Sequence, residues 1–211
     1  MTRLLSRYAI ASTVAACTVL GACQKKGDVA ATDTTAAPAA VAANSTDTSM
    51  AAGAVAPMKN DWTDAQILAF ADAANAGEIQ EGTIAEHKAT SPAVKSFARL
   101  MVTDHKKMLA DGKALATKLA ITPDTTKSDV TDLSKGVTDD VKDLNDKKAG
   151  KDWDSDYIGK QVDAHQKVLD KLQDASKSAQ NPQLKDALSQ SIGKVQEHLT
   201  KAQALKNSTQ S

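Results

Sequence analysis

Large aromatic side chains are scarce in this 211-residue chain, with two Trp, two Tyr and two Phe, 3% of the sequence. So few flat, pleat-filling residues argue against a β-sandwich or barrel. Their absence also removes the stacking platforms on which single-stranded nucleic acid is read. The 26 basic and 26 acidic groups cancel, which removes the basic face that a duplex requires. No nucleic-acid partner is expected. Proline is rare at five residues, cysteine rarer at two, and apolar runs are too few for a protein that crosses a membrane many times. What remains is rich in Ala, Lys, Asp, Gln and Leu, a composition that favours helices.

The first apolar run reads as an address. Arg3 and Arg7 precede Tyr8 to Leu20, about a dozen apolar or small residues, which is the pattern of a secretion signal over residues 1–22 and too short to span a bilayer stably. Leu20-Gly21-Ala22-Cys23 resembles the bacterial lipoprotein box, whose cysteine is acylated and becomes the new N-terminus; the other reading is ordinary signal cleavage beside an incidental cysteine. With Cys17 removed in the signal, Cys23 has no disulfide partner, and several acyl chains on it would anchor the chain firmly. Gln24 after the cysteine implies, by the same resemblance, sorting to the outer membrane with the folded part in the periplasm. Residues 23–60 are mostly Ala, Thr, Ser, Asp and Val, broken by Pro38 and Pro57. They lack the bulky side chains needed for a core and are expected to form a disordered tether.

From Asp61 the apolar residues recur at helical spacing. Asp61 or Thr63 can cap a first helix running to about Lys88, and Ser91-Pro92 is a strong start signal for a second. Pro123 is expected to end the second helix. Ile121 to Gly150 is polar, with apolar residues only at Val130, Leu133, Val137, Val141 and Leu144, and predicts a short, weakly packed crossover helix. A third long helix begins near Asp152, and a fourth follows Asn181-Pro182. The expected fold is therefore all-α. Two antiparallel helical hairpins, joined by a crossover with a short extra helix, form a four-helix bundle over residues 61–206, with a disordered tail at 207–211.

Four ionisable residues occupy seam positions where apolar residues belong. His105 interrupts the series 98, 101, 105, 108; His165 interrupts 158, 162, 165, 169; His198 falls in 188, 191, 195, 198, 202; and Glu78 falls in 67, 71, 74, 78, 81, 85, with Glu81 nearby. Counted from the two hairpin turns, all four stand at similar heights, so one polar layer is predicted across an apolar core. Two explanations stand side by side. Glu78, His105, His165 and His198 can coordinate one divalent transition metal ion, since imidazole suits Zn, Cu, Fe or Ni. Alternatively they hydrogen-bond one another, Tyr157 and Asp104, and set the helix register. His87 is expected on the outer edge, Met101 and Met108 as core fillers, and Trp153 with Tyr157 as a packing pair.

Glu78 with Gly82 and Ala85, the run Val94 to His105 ending in Thr103-Asp104-His105, Trp153-Asp154-Ser155-Asp156-Tyr157, Gln161 to Gln166, and the region of His198 together resemble the bacterial family known as domain of unknown function 4142. The resemblance implies a ferritin-like fold and an envelope location, and brings no activity with it. Two positions depart from the family: Trp153 stands where it usually has Phe, and Ile192-Gly193 where it often has Pro, so a kink there is in doubt. Di-iron ferritin-like sites use Glu-x-x-His, whereas Val102, Val162 and Val195 stand three residues before the three histidines, so ferroxidase chemistry is not expected. No nucleophile elbow or phosphate loop appears, so no enzyme is expected. The expectation is a lipid-anchored, non-enzymatic binding or envelope-maintenance module, with a mononuclear metal-binding protein as the alternative and a scaffold for a protein or polysaccharide partner as a third reading.

Overall fold

The computed structural model describes residues 61–209. The expected signal, Cys23 and the expected tether lie outside the described residues. Five helices follow one another: α1 (Asp64–Lys88), α2 (Pro92–Lys118), α3 (Ser128–Asp146), α4 (Lys151–Ser178) and α5 (Pro182–Thr209). The described residues contain no strand, and none of their helices is long and apolar enough to cross a membrane.

Local chemistry sets most of the boundaries. Thr63 caps α1 with a full capping box: its hydroxyl accepts from Gln66 N, and the Gln66 side chain accepts from Thr63 N. Pro92 opens α2 at a position that needs no N–H donor. The end of α2 departs from expectation. Lys118 rather than Pro123 closes it, in a Schellman turn where Ala120 adopts φ 53°, Ala120 N donates to Thr117 O and Ile121 N to Ala116 O. Hydrogen bonding of the last carbonyls and the packing of Ile121 on the core outweigh the cost of alanine in the left-handed region. At the other end α5 runs unbroken through Gly193 and continues to Thr209, three residues past the expected boundary.

An offset of 90 positions relates the two hairpins. Ala89-Thr90-Ser91-Pro92-Ala93-Val94-Lys95 matches Ala179-Gln180-Asn181-Pro182-Gln183-Leu184-Lys185, and the same offset carries Asp64 onto Asp154. These aspartates clamp the hairpins reciprocally. Asp64, at the start of α1, accepts from Gln180 N and Asn181 N in the α4–α5 turn. Asp154, at the start of α4, accepts from Thr90 N, Thr90 Oγ1 and Ser91 N in the α1–α2 turn. Close helix approach is set by Gly82, where an added Cβ would lie 2.9 Å from Val102 Cγ2 and 3.3 Å from Ala98 O.

α3 is longer than the short helix expected, at 19 residues, and packs on α1 and α4. Only Val130 and Leu144 are buried in it. Ion pairs add a tie to α4: Lys160 reaches Asp140 at 2.6 Å and Asp143 at 3.1 Å, and Lys171 reaches Asp129 at 2.6 Å. Lys88 Nζ and Trp153 Nε1 donate to carbonyls at the C-terminal end of α3, Leu144 O accepting from both. Gly77 allows the approach to α1, since a Cβ there would meet Val137 Cγ2 at 2.5 Å.

The apolar core falls into two clusters. One gathers Ile67, Phe70, Leu169, Leu172, Leu184 and Leu188; the other Val94, Phe97, Met101, Trp153, Tyr157 and Ile158. Trp153 and Tyr157 form the expected packing pair, stacked at 5.7 Å and 13°.

Because Asp154 is buried and accepts from two backbone N–H groups and a hydroxyl, Asp154→Ala should lower unfolding free energy by about 1–3 kcal/mol. Asp64→Ala should cost less, since Asp64 itself is only half-buried. Urea unfolding followed by circular dichroism checks both, and equal, negligible losses would show that the clamps do not hold the hairpins together.

Candidate metal centre

Seven buried polar residues, Asn75, Glu78, Glu81, His105, Gln161, His165 and His198, come from four of the five helices. The predicted layer is therefore present and larger than expected. At its centre stand His105 of α2, His165 of α4 and His198 of α5. Their ring centroids are 5.1, 5.5 and 5.7 Å apart, nearly an equilateral triangle, and one nitrogen from each lies within 4.8 Å of the others.

Each ring spends one nitrogen on an acceptor. His105 Nδ1 meets Asn75 Oδ1 at 2.8 Å, His165 Nδ1 meets the Gln161 carbonyl at 2.9 Å, and His198 Nε2 meets Asp104 Oδ2 at 2.9 Å. A carbonyl oxygen or a carboxylate only accepts, so each of these nitrogens carries the proton. The second nitrogens, His105 Nε2, His165 Nε2 and His198 Nδ1, are then bare lone pairs, and all three are buried without a protein partner. Acceptors on the far side of each imidazole are the usual companions of metal-ligating histidines, because they fix the tautomer and the ring orientation.

Electrostatics keeps the triangle neutral. Burial, reinforced by His165 and His198, pushes His105 well below the usual imidazole range. Burial lowers His165 to about 4 and lowers His198 too, against the raising effect of Asp104. Three neutral nitrogen donors are thus available at neutral pH without proton competition.

Glu78 is placed differently from the three histidines. Its Oε1 lies 3.5 Å from His165 Nδ1, the protonated edge, and it stands outside the close group of nitrogen atoms. It stands beside the His165 ring, whose Nδ1 bonds the Gln161 carbonyl, whereas Asp104 bonds its histidine directly. Burial raises Glu78 to about 7, and burial together with Glu78 and Asp140 raises Glu81 to about 8. Gln161 Nε2 donates to Glu81 Oε2 at 3.1 Å. Glu78 Oε2, Gln161 Oε1 and Tyr157 OH have no protein partner, so the expected bond from Tyr157 to the layer is not made. A small cavity of about 20 Å³, room for one small ion or water, is lined by Asn75, Glu78, His105, Met108 and His165 but not by His198.

Asn75 and Gln161 escaped sequence reasoning because neither ionises. For Asn75 the 90-residue offset was the available signal, since it carries Asn75 onto His165; for Gln161, which it carries back onto Ala71, there was none. His87 is exposed, as expected, and Met108 is half-buried against the core.

Residues 46–205 match the family described as Domain of unknown function (DUF4142), and the chain belongs to that family. No curated protein and no solved structure matches it.

The buried groups imply a stability optimum. Histidines with lowered folded values take up protons on unfolding, so stability falls as pH drops from about 6.5 toward 4. Glu78 and Glu81 hold protons that unfolding releases, so stability also falls as pH rises through 7 to 8. The metal-free protein should melt highest between about pH 6 and 7 and lose on the order of 2–4 kcal/mol by pH 9. Glu81→Gln should flatten that alkaline arm; an arm of unchanged steepness in thermal melts would refute the assignment.

Proposed function

We propose that this protein is a divalent transition-metal-binding module of the bacterial cell envelope, in which His105, His165 and His198 supply three nitrogen donors. The observation that carries the reading is the triangle of bare, buried imidazole nitrogens, each ring held from behind by Asn75, Gln161 or Asp104. Without an ion, the three bare nitrogens are buried with no protein partner, and buried acceptors left unsatisfied cost about 1–3 kcal/mol apiece. An ion there would turn that liability into bonds. Imidazole donors suit Zn, Cu, Ni or Fe, and three protein ligands leave a further coordination position open. Asp104 and Glu78, next to the ligand rings, offset the ion's charge from outside the triangle. Three apolar residues, Val102, Val162 and Val195, stand where a bridged two-iron site needs carboxylates, which supports binding of a single ion over ferroxidase chemistry.

The proposed architecture is a ferritin-like bundle of α1, α2, α4 and α5, with α3 as a cover on α1 and α4. The proposed location is the periplasmic face of the outer membrane, with an acylated Cys23 as anchor and residues 23–60 as tether; the supporting feature is the Leu20-Gly21-Ala22-Cys23 sequence. A metal-free role, with the layer acting only to set helix register in an envelope-maintenance module, draws on the same outward hydrogen bonds but leaves the bare nitrogens without a purpose.

Elemental analysis of untagged protein should find about one equivalent of a transition metal per chain, and His105→Ala/His165→Ala should lose it. An excess of added Zn²⁺, about a thousandfold over the dissociation constant, should stabilise the wild type by about 4 kcal/mol and leave the double variant unmoved. His105→Leu should stabilise the metal-free protein and abolish the response to metal. No metal and no Zn²⁺-dependent shift in a folded wild type would leave the layer as architecture. For the anchor, Cys23→Ser should move the protein out of the membrane fraction or block its processing, and unchanged fractionation would remove the lipid.

A further inference from the structure

Metal binding in a buried triangle requires a way in, and two surface hollows approach the layer. The first, of about 540 Å³, lies between α1, α3 and α4. The carboxyl groups of Glu78, Glu81, Asp129, Asp132, Asp140 and Asp163 line it; the two glutamates hold protons up to about pH 7 and 8, so at neutral pH the four aspartates supply the charge that faces the ammonium groups of Lys160, Lys167 and Lys171. Two of those lysines are already engaged, Lys160 by Asp140 and Asp143 and Lys171 by Asp129. The second, of about 600 Å³, lies between α1, α2 and α5, and its charges balance: Asp104, Asp111 and Asp186 against Lys107, Lys118 and Lys194, with Lys194 3.5 Å from Asp104.

At the inner end of the first hollow the carboxylates change character. Glu81 is 3% and Glu78 6% exposed, and Glu78 Oε2 has no protein partner. Glu78 also lines the small cavity that touches His105 and His165, so one side chain forms a wall of both spaces. Hard carboxylate oxygens hold a divalent cation loosely and exchange it readily, whereas imidazoles retain it.

We propose that the hollow between α1, α3 and α4 is the cation entry port of this protein, with Glu81 and then Glu78 as transit ligands that pass a divalent ion to the histidine triangle. The proposal rests on the metal-binding reading above. The acidic mouth concentrates cations by field focusing, Glu81 receives the ion at the buried end, and Glu78 delivers it across the shared wall. α3 forms one side of the port, and attraction of the cation to its aspartates falls with ionic strength.

The test is the rate of Co²⁺ uptake by the purified, chelator-stripped full-length protein, followed by the visible absorption of the histidine-bound ion in a stopped-flow instrument. Glu81→Gln should load severalfold more slowly, because an incoming cation displaces the Glu81 proton to gain a carboxylate ligand that an amide does not supply, while its equilibrium dissociation constant stays within about threefold, as expected for a residue outside the nitrogen donor set. Glu78→Gln should lose both rate and affinity, because Glu78 also stands beside His165. Asp132→Asn/Asp163→Asn, exposed at the mouth, should weaken the salt dependence of the wild-type rate, and Asp186→Asn in the other hollow should change nothing. Loading of Glu81→Gln at the wild-type rate, or slowing by Asp186→Asn instead, would overturn the route while leaving the triangle intact. Absence of Co²⁺ uptake by the wild type would remove the triangle and the route together.

Discussion

Three buried imidazoles stand close together, and much of the described structure is arranged around that constraint. A neutral imidazole has one proton to give and one lone pair to satisfy. With the protons sent outward to Asn75, Gln161 and Asp104, the lone pairs are left to face the interior. The three acceptors belong to α1, α4 and α2, and the three rings to α2, α4 and α5. Four helices must therefore stand in register to within a fraction of a turn. Apolar clusters on either side of the layer supply the adhesion, and the reciprocal aspartate clamps at the hairpin turns supply the register.

The two hairpins share a plan but not a role. Ser91-Pro92 and Asn181-Pro182 start equivalent helices, and Ala89 and Ala179 end the preceding ones with nearly the same backbone angles, φ −57° and −54°. At the level of the layer the equivalence breaks: His165 answers to Asn75, and His198 to Met108. One member of each pair offers a nitrogen to the centre, while its counterpart supports a neighbouring ring or lines the adjoining cavity. α3 lies between the two hairpins in the chain, and it covers the side on which Glu78 and Glu81 lie.

Much of this was readable from residue spacing. The starts of α1, α2, α4 and α5, the stacked Trp153 and Tyr157, exposed His87, and a polar layer containing Glu78, His105, His165 and His198 all follow from caps, prolines and a 3.6-residue period. α3 was harder, because a helix that buries only Val130 and Leu144 leaves a faint apolar pattern, and it is longer than that pattern suggests. The end of α2 was misplaced because Ala120 carries no compositional mark of the left-handed cap it forms. Asn75 and Gln161 went unnoticed because an amide on a seam looks like any other polar residue until its partner is known.

The sequence by itself determined which side chains face inward and at what height, since helical period and turn position are local properties of the chain. Only the tertiary structure decided how those side chains divide their work. Spacing treats Glu78 and the three histidines as equals, yet the rotation of each helix about its axis and the rotamer of each ring bring three nitrogens together and turn the carboxylate to the outer edge of His165. Those angles are settled by packing between helices distant in sequence, and no count along the chain contains them.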